Sequence, residues 1–294
     1  MRYDIRLAID YSYGAPSDRS RTLLRLIPAD AGADQRLLSR KLTIAPRPDE
    51  RREGVDFFGN ATTLAVWHRP IDAVRLEVTL RVDRLAADVA ADLSPPVAGL
   101  ADDLTACTDL GPASPHHFTG PSPRVPEVPE ITAFARAAVP AGATVVQAIE
   151  ALGHALHEAM RFDSAATSVE TGPAEAFEHR HGVCQDFAHV MIAGLRALGI
   201  PAGYVSGFLR TDPPPGRPRL EGADAMHAWV RAWAGPAMGW VAFDPTNDQR
   251  AGLDYVTVAQ GRDYGDVAPV QGALRSSGGQ VSRHTVDVLP VGAA

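Results

Sequence analysis

His181-Gly182-Val183-Cys184-Gln185-Asp186-Phe187 sets a thiol just ahead of a helical pattern, in which Phe187, Val190, Met191, Leu195 and Leu198 line one face. Gly199 is placed to cap that helix and Pro201 to stop it. Strand-like runs follow at 202–209, 225–233 and 240–244, carrying Met226-His227-Ala228-Trp229-Val230 and Gly239-Trp240-Val241-Ala242-Phe243-Asp244-Pro245. A buried helix with a sheet after it is α+β order, not βαβ alternation. It predicts Cys184 at a helix N-terminus, packed against an antiparallel sheet that carries His227 and Asp244 on neighbouring strands.

Those three residue types suit thiol catalysis. A free thiol titrates near 8.5, and a helix N-terminus favours its anion. An adjacent imidazole stabilises the thiolate and can later protonate a leaving amine. A carboxylate behind the ring fixes its tautomer and orientation. Cys184, His227 and Asp244 are therefore the candidate nucleophile, acid–base and orienting residue. A buried Cys is more often a small hydrophobe, and Cys107, without comparable company, takes that reading. His189 falls about 140° from Cys184 around the helix and suits a core or interface role. Asp186 is placed to cap the first turn. Trp229, Trp233, Trp240 and Phe243 read as core, and His116, His117, His179 and His181 as surface or loop residues. The chemical rival is zinc on His181, Cys184 and His227, which lacks a second cysteine ligand. No metal or cofactor is expected.

Upstream of the Cys184 helix, Thr144 and Gln147 have capping-box spacing, with Ile149, Leu152, Leu156 and Met160 at helical intervals. A short helix is expected over 173–180, with Pro at its first position. The chain begins differently. Tyr3, Ile5, Leu7, Ile9, Tyr11 and Tyr13 alternate with polar or small residues, as do Val74, Leu76, Val78, Leu80 and Val82. Shorter strands fit 22–27, 37–44 and 62–67, with Gly59-Asn60 as a hairpin turn. Residues 1–84 thus read as an antiparallel β-sandwich and 130–294 as the catalytic core. Between them, 85–129 is a Pro-rich connector with short helices possible at 85–93 and 97–104.

The 294 residues are 45% apolar and 21% charged, ordinary globular material with room for two cores. A net charge of −7 argues against nucleic acid or an anionic membrane as partner. No apolar run approaches the roughly 20 residues of a membrane helix, and Asp4 and Asp10 interrupt any signal-peptide pattern. Two cysteines make no disulfide framework, so a cytoplasmic location is expected.

Gly182-Val183-Cys184-Gln185-Asp186-Phe187-Ala188-His189 resembles the nucleophile motif of bacterial transglutaminase-like proteins, a superfamily of transglutaminases and thiol amidases. Residues 224–230 resemble its histidine motif, 239–247 its aspartate motif, and 261–269 (GRDYGDVAP) a further family segment. Residues 1–83 resemble the β-sandwich that often precedes this core. The resemblance implies a transglutaminase/papain-like fold and a Cys184–His227–Asp244 triad acting on an amide in a peptide, protein or small molecule. Relatives are commonly regarded as cysteine peptidases or amidases, so hydrolysis is the default. Cross-linking with an amine acceptor, arylamine-type acetyl transfer, and a binding protein with a relict triad remain alternatives. The chain departs from the family run PARYVSGY at Gly203 and Phe208, and carries Arg231 where an acidic residue is common. If those positions line the cleft, substrate preference differs from relatives.

Overall fold

The computed structural model describes residues 1–17, 19–28, 34–85, 91–211, 224–275 and 279–292. Six strands come first: β1 (Arg2–Ser17), β2 (Arg19–Leu24), β3 (Gln35–Ala45), β4 (Glu50–Val55), β5 (Ala61–Trp67) and β6 (Ile71–Arg84). The alternation seen in the sequence sets the register of β1 against β6. Tyr3, Ile5, Leu7 and Ile9 oppose Val82, Leu80, Val78 and Leu76, and all eight are buried. On the outer face the same register aligns Arg2 with Asp83, Asp4 with Arg81, and Asp10 with Arg75, each an ion pair. Strand β4 escaped the sequence reading. Its run Glu-Arg-Arg-Glu-Gly-Val is almost wholly exposed at a sheet edge, where charge protects against edge pairing instead of marking a buried face.

The expected tether is packed instead. After a 3₁₀ turn at Val97–Gly99, α1 (Leu100–Ala106) follows, close to the short helix expected at 97–104. Leu100, Phe118, Val125 and Val128 are buried, so the connector contributes to the core. The helix expected at 85–93 lies largely outside the described residues, and 91–93 are not helical.

The core comprises α2 (Pro129–Ala138), α3 (Val145–Ala159), β7 (Arg161–Phe162), α4 (Pro173–His179), β8 (His181–Gly182), α5 (Cys184–Ala197), β9 (Ala202–Leu209), β10 (Ala225–Trp233), β11 (Trp240–Asp244), β12 (Gln249–Arg250), β13 (Tyr255–Gly261) and α6 (Tyr264–Val267). The predicted capping box forms at Thr144 and Gln147. Helix α5 is the buried centre, with every residue from Gln185 to Leu195 inside. It packs on an antiparallel sheet of order β12-β11-β10-β9-β13. This is the expected α+β arrangement.

The chain then returns. β14 (Val270–Arg275) pairs with β2, and β15 (Gln280–Pro290) pairs with β1, giving two four-stranded sheets, β14-β2-β5-β4 and β15-β1-β6-β3. Residues 270–290, read from sequence as part of the core, therefore complete the sandwich. The physical reason is that β1 and β2 would otherwise present unpaired edges.

Sandwich and core are joined through β13, the edge strand of the core sheet. A bulge between Thr257 and Ala259 turns the backbone of both Thr257 and Gln260 outward. Gln35 donates to Thr257 O and accepts from Thr257 N, both at 2.8 Å. Asn60 does the same for Gln260, again at 2.8 Å. Two buried amide side chains thus finish the hydrogen bonding of an edge strand. Tyr3 reaches Asp254 as well, at 2.7 Å.

Candidate active site

Cys184 is the first residue of α5, half-buried, with extended backbone at Val183 before it. The turn is held by Asp186, whose Oδ2 accepts from Val183 N at 2.8 Å and from the Thr167 hydroxyl at 2.6 Å. Asp186 thus caps the turn, as its place in the sequence suggested. Burial pushes its carboxyl up from the ordinary value, against these bonds. Because Asp186 folds back here, position 182 has no room for a side chain: a Cβ there would lie 2.5 Å from Asp186 Oδ2. Glycine, carboxylate and thiol in Gly182-Val183-Cys184-Gln185-Asp186 form one steric unit.

His227 on β10 and Asp244 at the end of β11 meet across the sheet, with Nε2 to Oδ2 at 2.7 Å. That bond leaves Nδ1 free of Asp244, and Cys184 lies near enough to the ring to influence its titration. Burial alone would push the imidazolium down, but Asp244 and Cys184 outweigh it and raise His227 to about 10. Asp244 is completely buried. Burial would raise its carboxyl too, but hydrogen bonding and charge from His227, with bonds from Asn247 and Tyr255, hold it below the ordinary range. The structure therefore brings all three sequence candidates together, with Asp244 bonded to the imidazole and Cys184 near it.

Several contributors were not found from sequence. Asn247 Nδ2 donates to Asp244 Oδ2 at 2.7 Å, and Thr246 N and Asn247 N donate to Oδ1 at 2.9 and 3.3 Å. Tyr255 donates to Oδ2 at 2.7 Å. Trp229 stacks along His227, with planes 27° apart and centroids at 6.3 Å. Asn247 lies inside the quoted aspartate motif and its small polar turn is a usable signal. Tyr255 sits on another strand, and nothing local marks it.

Other residues fall away from the site. His189 is buried, accepts from Tyr264 N at 3.2 Å, and is pushed down to about 4 by burial, so it stays neutral in the core. Cys107 terminates α1 with no such surroundings. His181 stacks on His179 at 5.7 Å, and among the described residues no group of three or more His, Cys, Asp or Glu could hold a metal ion. No helix among them is long and apolar enough to cross a membrane.

The family departures are buried in the core. Gly203 and Arg231 are opposite each other on β9 and β10, and both are buried. The Arg231 guanidinium lies over both rings of the Phe118–Trp240 pair, at 4.6 and 4.3 Å, and bonds to Gln260. Phe118 occupies the space a side chain at 203 would need, approaching to 2.8 Å of a Cβ there. Phe208, the third departure, is also buried.

Residues 132–245 match the transglutaminase-like superfamily and residues 3–83 the bacterial transglutaminase-like N-terminal region. The chain belongs to the transglutaminase-like superfamily. It is 33% identical to an uncharacterised protein of Mycobacterium tuberculosis, across 98% of this chain and 93% of that one. Over 71 residues, 24% of this chain and 10% of the other, it is 41% identical to a protein-glutamine gamma-glutamyltransferase of Pseudomonas aeruginosa. A solved structure from Cytophaga hutchinsonii, described as a candidate cysteine protease, shares the fold, with a TM-score of 0.72 at 21% identity. That likeness covers 100% of this chain and 92% of the other. The chain is an enzyme of this superfamily.

Proposed function

We propose that the chain is a cysteine amidase or peptidase that hydrolyses an amide, either a peptide bond or a Gln or Asn side chain, through Cys184, His227 and Asp244. The observation that carries this is the placement of His227 between the Cys184 thiol and the buried Asp244 carboxylate. The thiolate attacks the carbonyl carbon, a C–S bond forms, and an electron pair moves to oxygen. The backbone N–H of Cys184, at the helix N-terminus, is placed to stabilise that oxyanion. Collapse breaks the C–N bond, and the leaving amine takes the proton from His227 Nδ1. A water then gives its proton to Nδ1 and attacks the thioester, releasing acid and thiolate.

A second reading, transfer to an amine instead of water, is favoured by the local likeness to the Pseudomonas glutamyltransferase. One experiment addresses both. A peptide mixture is incubated with the protein, with and without dansylcadaverine, and released ammonia, peptide fragments and amine adducts are read by mass spectrometry. Fragments or ammonia, lost in Cys184→Ala, support hydrolysis, whereas adducts in place of them mean transfer. Products that persist in Cys184→Ala would remove Cys184 from the chemistry.

A further inference from the structure

The carboxylate behind His227 accepts more donors than orientation of one imidazole needs. Oδ1 takes two backbone N–H groups, and Oδ2 takes His227, Asn247 and Tyr255. The Tyr255 bond is directed. Gln249 Nε2 donates to the phenol oxygen at 2.8 Å, so the hydroxyl has an occupied acceptor side and its single proton points at Asp244 Oδ2. Tyr255 comes from β13, the strand joined to the sandwich, whereas the other donors come from β10 and the turn after β11. Its ring is fixed edge-on against Trp229 at 5.2 Å, and Trp229 in turn stacks on His227.

We propose that Tyr255, steered by Gln249, is a positioning residue that draws negative charge off Asp244 and thereby sets how tightly His227 holds its proton. This rests on the Cys184–His227–Asp244 reading above. A carboxylate that shares charge with a phenol is a weaker hydrogen-bond acceptor for the imidazolium. The consequence is a proton that His227 can give up to a leaving amine more readily than it could beside a bare buried carboxylate. The Tyr255 ring also lies 6.3 Å from that of His227, a contact that Tyr255→Phe keeps, so the variant isolates the bond to Asp244.

The groups facing this pair are few. Cys184 approaches His227 from α5, and Tyr204 on β9 lies near that thiol. From α3, His157 binds Thr246 O at 3.0 Å, His154 pairs with Asp248 at 2.7 Å, and Glu150 pairs with Arg250 on β12. None of these α3 groups bonds to Asp244, so among the described residues Tyr255 and Asn247 are the side chains besides His227 that bond to it.

The test is titration of the His227 imidazole by nitrogen-15 NMR in the full chain, assigned with His227→Ala, for wild type, Tyr255→Phe and Gln249→Leu. In Tyr255→Phe the midpoint moves up by about half to one unit, and in Gln249→Leu it moves the same way by less. The rate of Cys184 alkylation, measured in parallel, extends to correspondingly higher pH before its imidazolium dependence is lost. A merely structural Tyr255 would lower the melting temperature and leave the midpoint in place, and that result, or a downward shift, overturns the proposal. Failure of the triad itself is distinguishable, because Cys184 alkylation would then follow the same pH profile in His227→Ala as in wild type.

Discussion

Gly153→Ala sets two effects of comparable size against each other in α3, and the structure decides between them. In a helix interior Ala is favoured over Gly by about 1 kcal/mol. At position 153, however, a Cβ would stand 2.1 Å from Phe243 Cε1, 2.5 Å from Cδ1 and 2.9 Å from Cζ. Carbon atoms pack at about 3.5–4.0 Å, so the ring must retreat by roughly 1.5 Å. Phe243 is only 4% exposed and has nowhere to rotate without disturbing the shared core. Overpacking costs about 1–3 kcal/mol, and an approach this close to a buried ring falls in the upper part of that range, about 2–3 kcal/mol, which exceeds the helix gain and leaves about 1–2 kcal/mol of destabilisation. The melting temperature then falls by about 2–8 °C for a chain of this size. Phe243 directly precedes Asp244 on β11, so the strand shift reaches the carboxylate behind His227. A misplacement near 1 Å lowers reactivity on the order of 100-fold. Differential scanning calorimetry and the alkylation rate of Cys184 at pH 7 read the two consequences. A melting temperature that rises, with alkylation unchanged, would show that the Phe243 packing does not constrain position 153 and would refute the reasoning.

Three further outcomes follow from other parts of the molecule. Asp244→Asn leaves an amide that cannot accept from all five donors, and turnover drops by about 10⁴ as in other triads with a mis-set tautomer; near-normal turnover would reduce Asp244 to a structural residue. The stability lost in that variant depends on pH. His227, raised to about 10, contributes fully below its unfolded value near 6.5 and loses that contribution as pH rises through 10. Asp244, lowered, contributes above about 4 and loses its share in acid. Urea midpoints of wild type and variant should therefore differ most between pH 4 and 6.5, and the gap should narrow as pH rises through 10, leaving the share of Asp244 itself; a constant gap would mean that the pair is not the source. Arg231 is pushed down to about 9 by burial, and its Nε and Nη2 have no partner among the described residues. Arg231→Met should be neutral or stabilising by thermal melt, whereas Arg231→Ala empties the space beside the Phe118–Trp240 pair and costs about 2–4 kcal/mol; equal losses in both would mean that the charge itself matters.

What the sequence revealed and what it concealed differ by range. Cys184, His227 and Asp244 were legible because each is embedded in a local pattern: a helix start, an alternating strand and a turn-proximal acid. The capping role of Asp186 was legible for the same reason, since it acts on Val183 only three residues away. Tyr255 was not legible as a site residue, because its place beside Asp244 depends on strand neighbourhood, and β13 lies beside β9, not beside β11; Trp229, two residues after His227 on β10, read simply as core. Strand β4 was hidden by its charge, and the return of β14 and β15 by distance along the chain. The departures at 203 and 231 looked like two independent changes in a cleft. Only the register of β9 against β10 makes them one site, in which Phe118 takes the space beside Gly203 and an arginine stacks on the same ring from across the ladder.

Strand β13 connects these observations. Its outer edge is completed by Gln35 and Asn60 from the sandwich, and its first residue, Tyr255, bonds to Asp244. An edge strand left open would present Thr257 and Gln260 backbone groups to water or to another chain. Closing it with side-chain amides fixes the position of β13, and with it the phenol. Gln35→Leu should thus act at two sites. It strands one buried N–H and one buried C=O, at about 1–3 kcal/mol each, so the melting temperature falls. It also loosens Tyr255 behind His227, although Gln35 is in the other domain. Cys184 alkylation in Gln35→Leu, measured well below the melting transition, should show part of the shift to higher pH that Tyr255→Phe shows. A Gln35→Leu protein that melts lower but keeps the wild-type alkylation profile would confine the sandwich to a stabilising role and break the link between the two domains' chemistry.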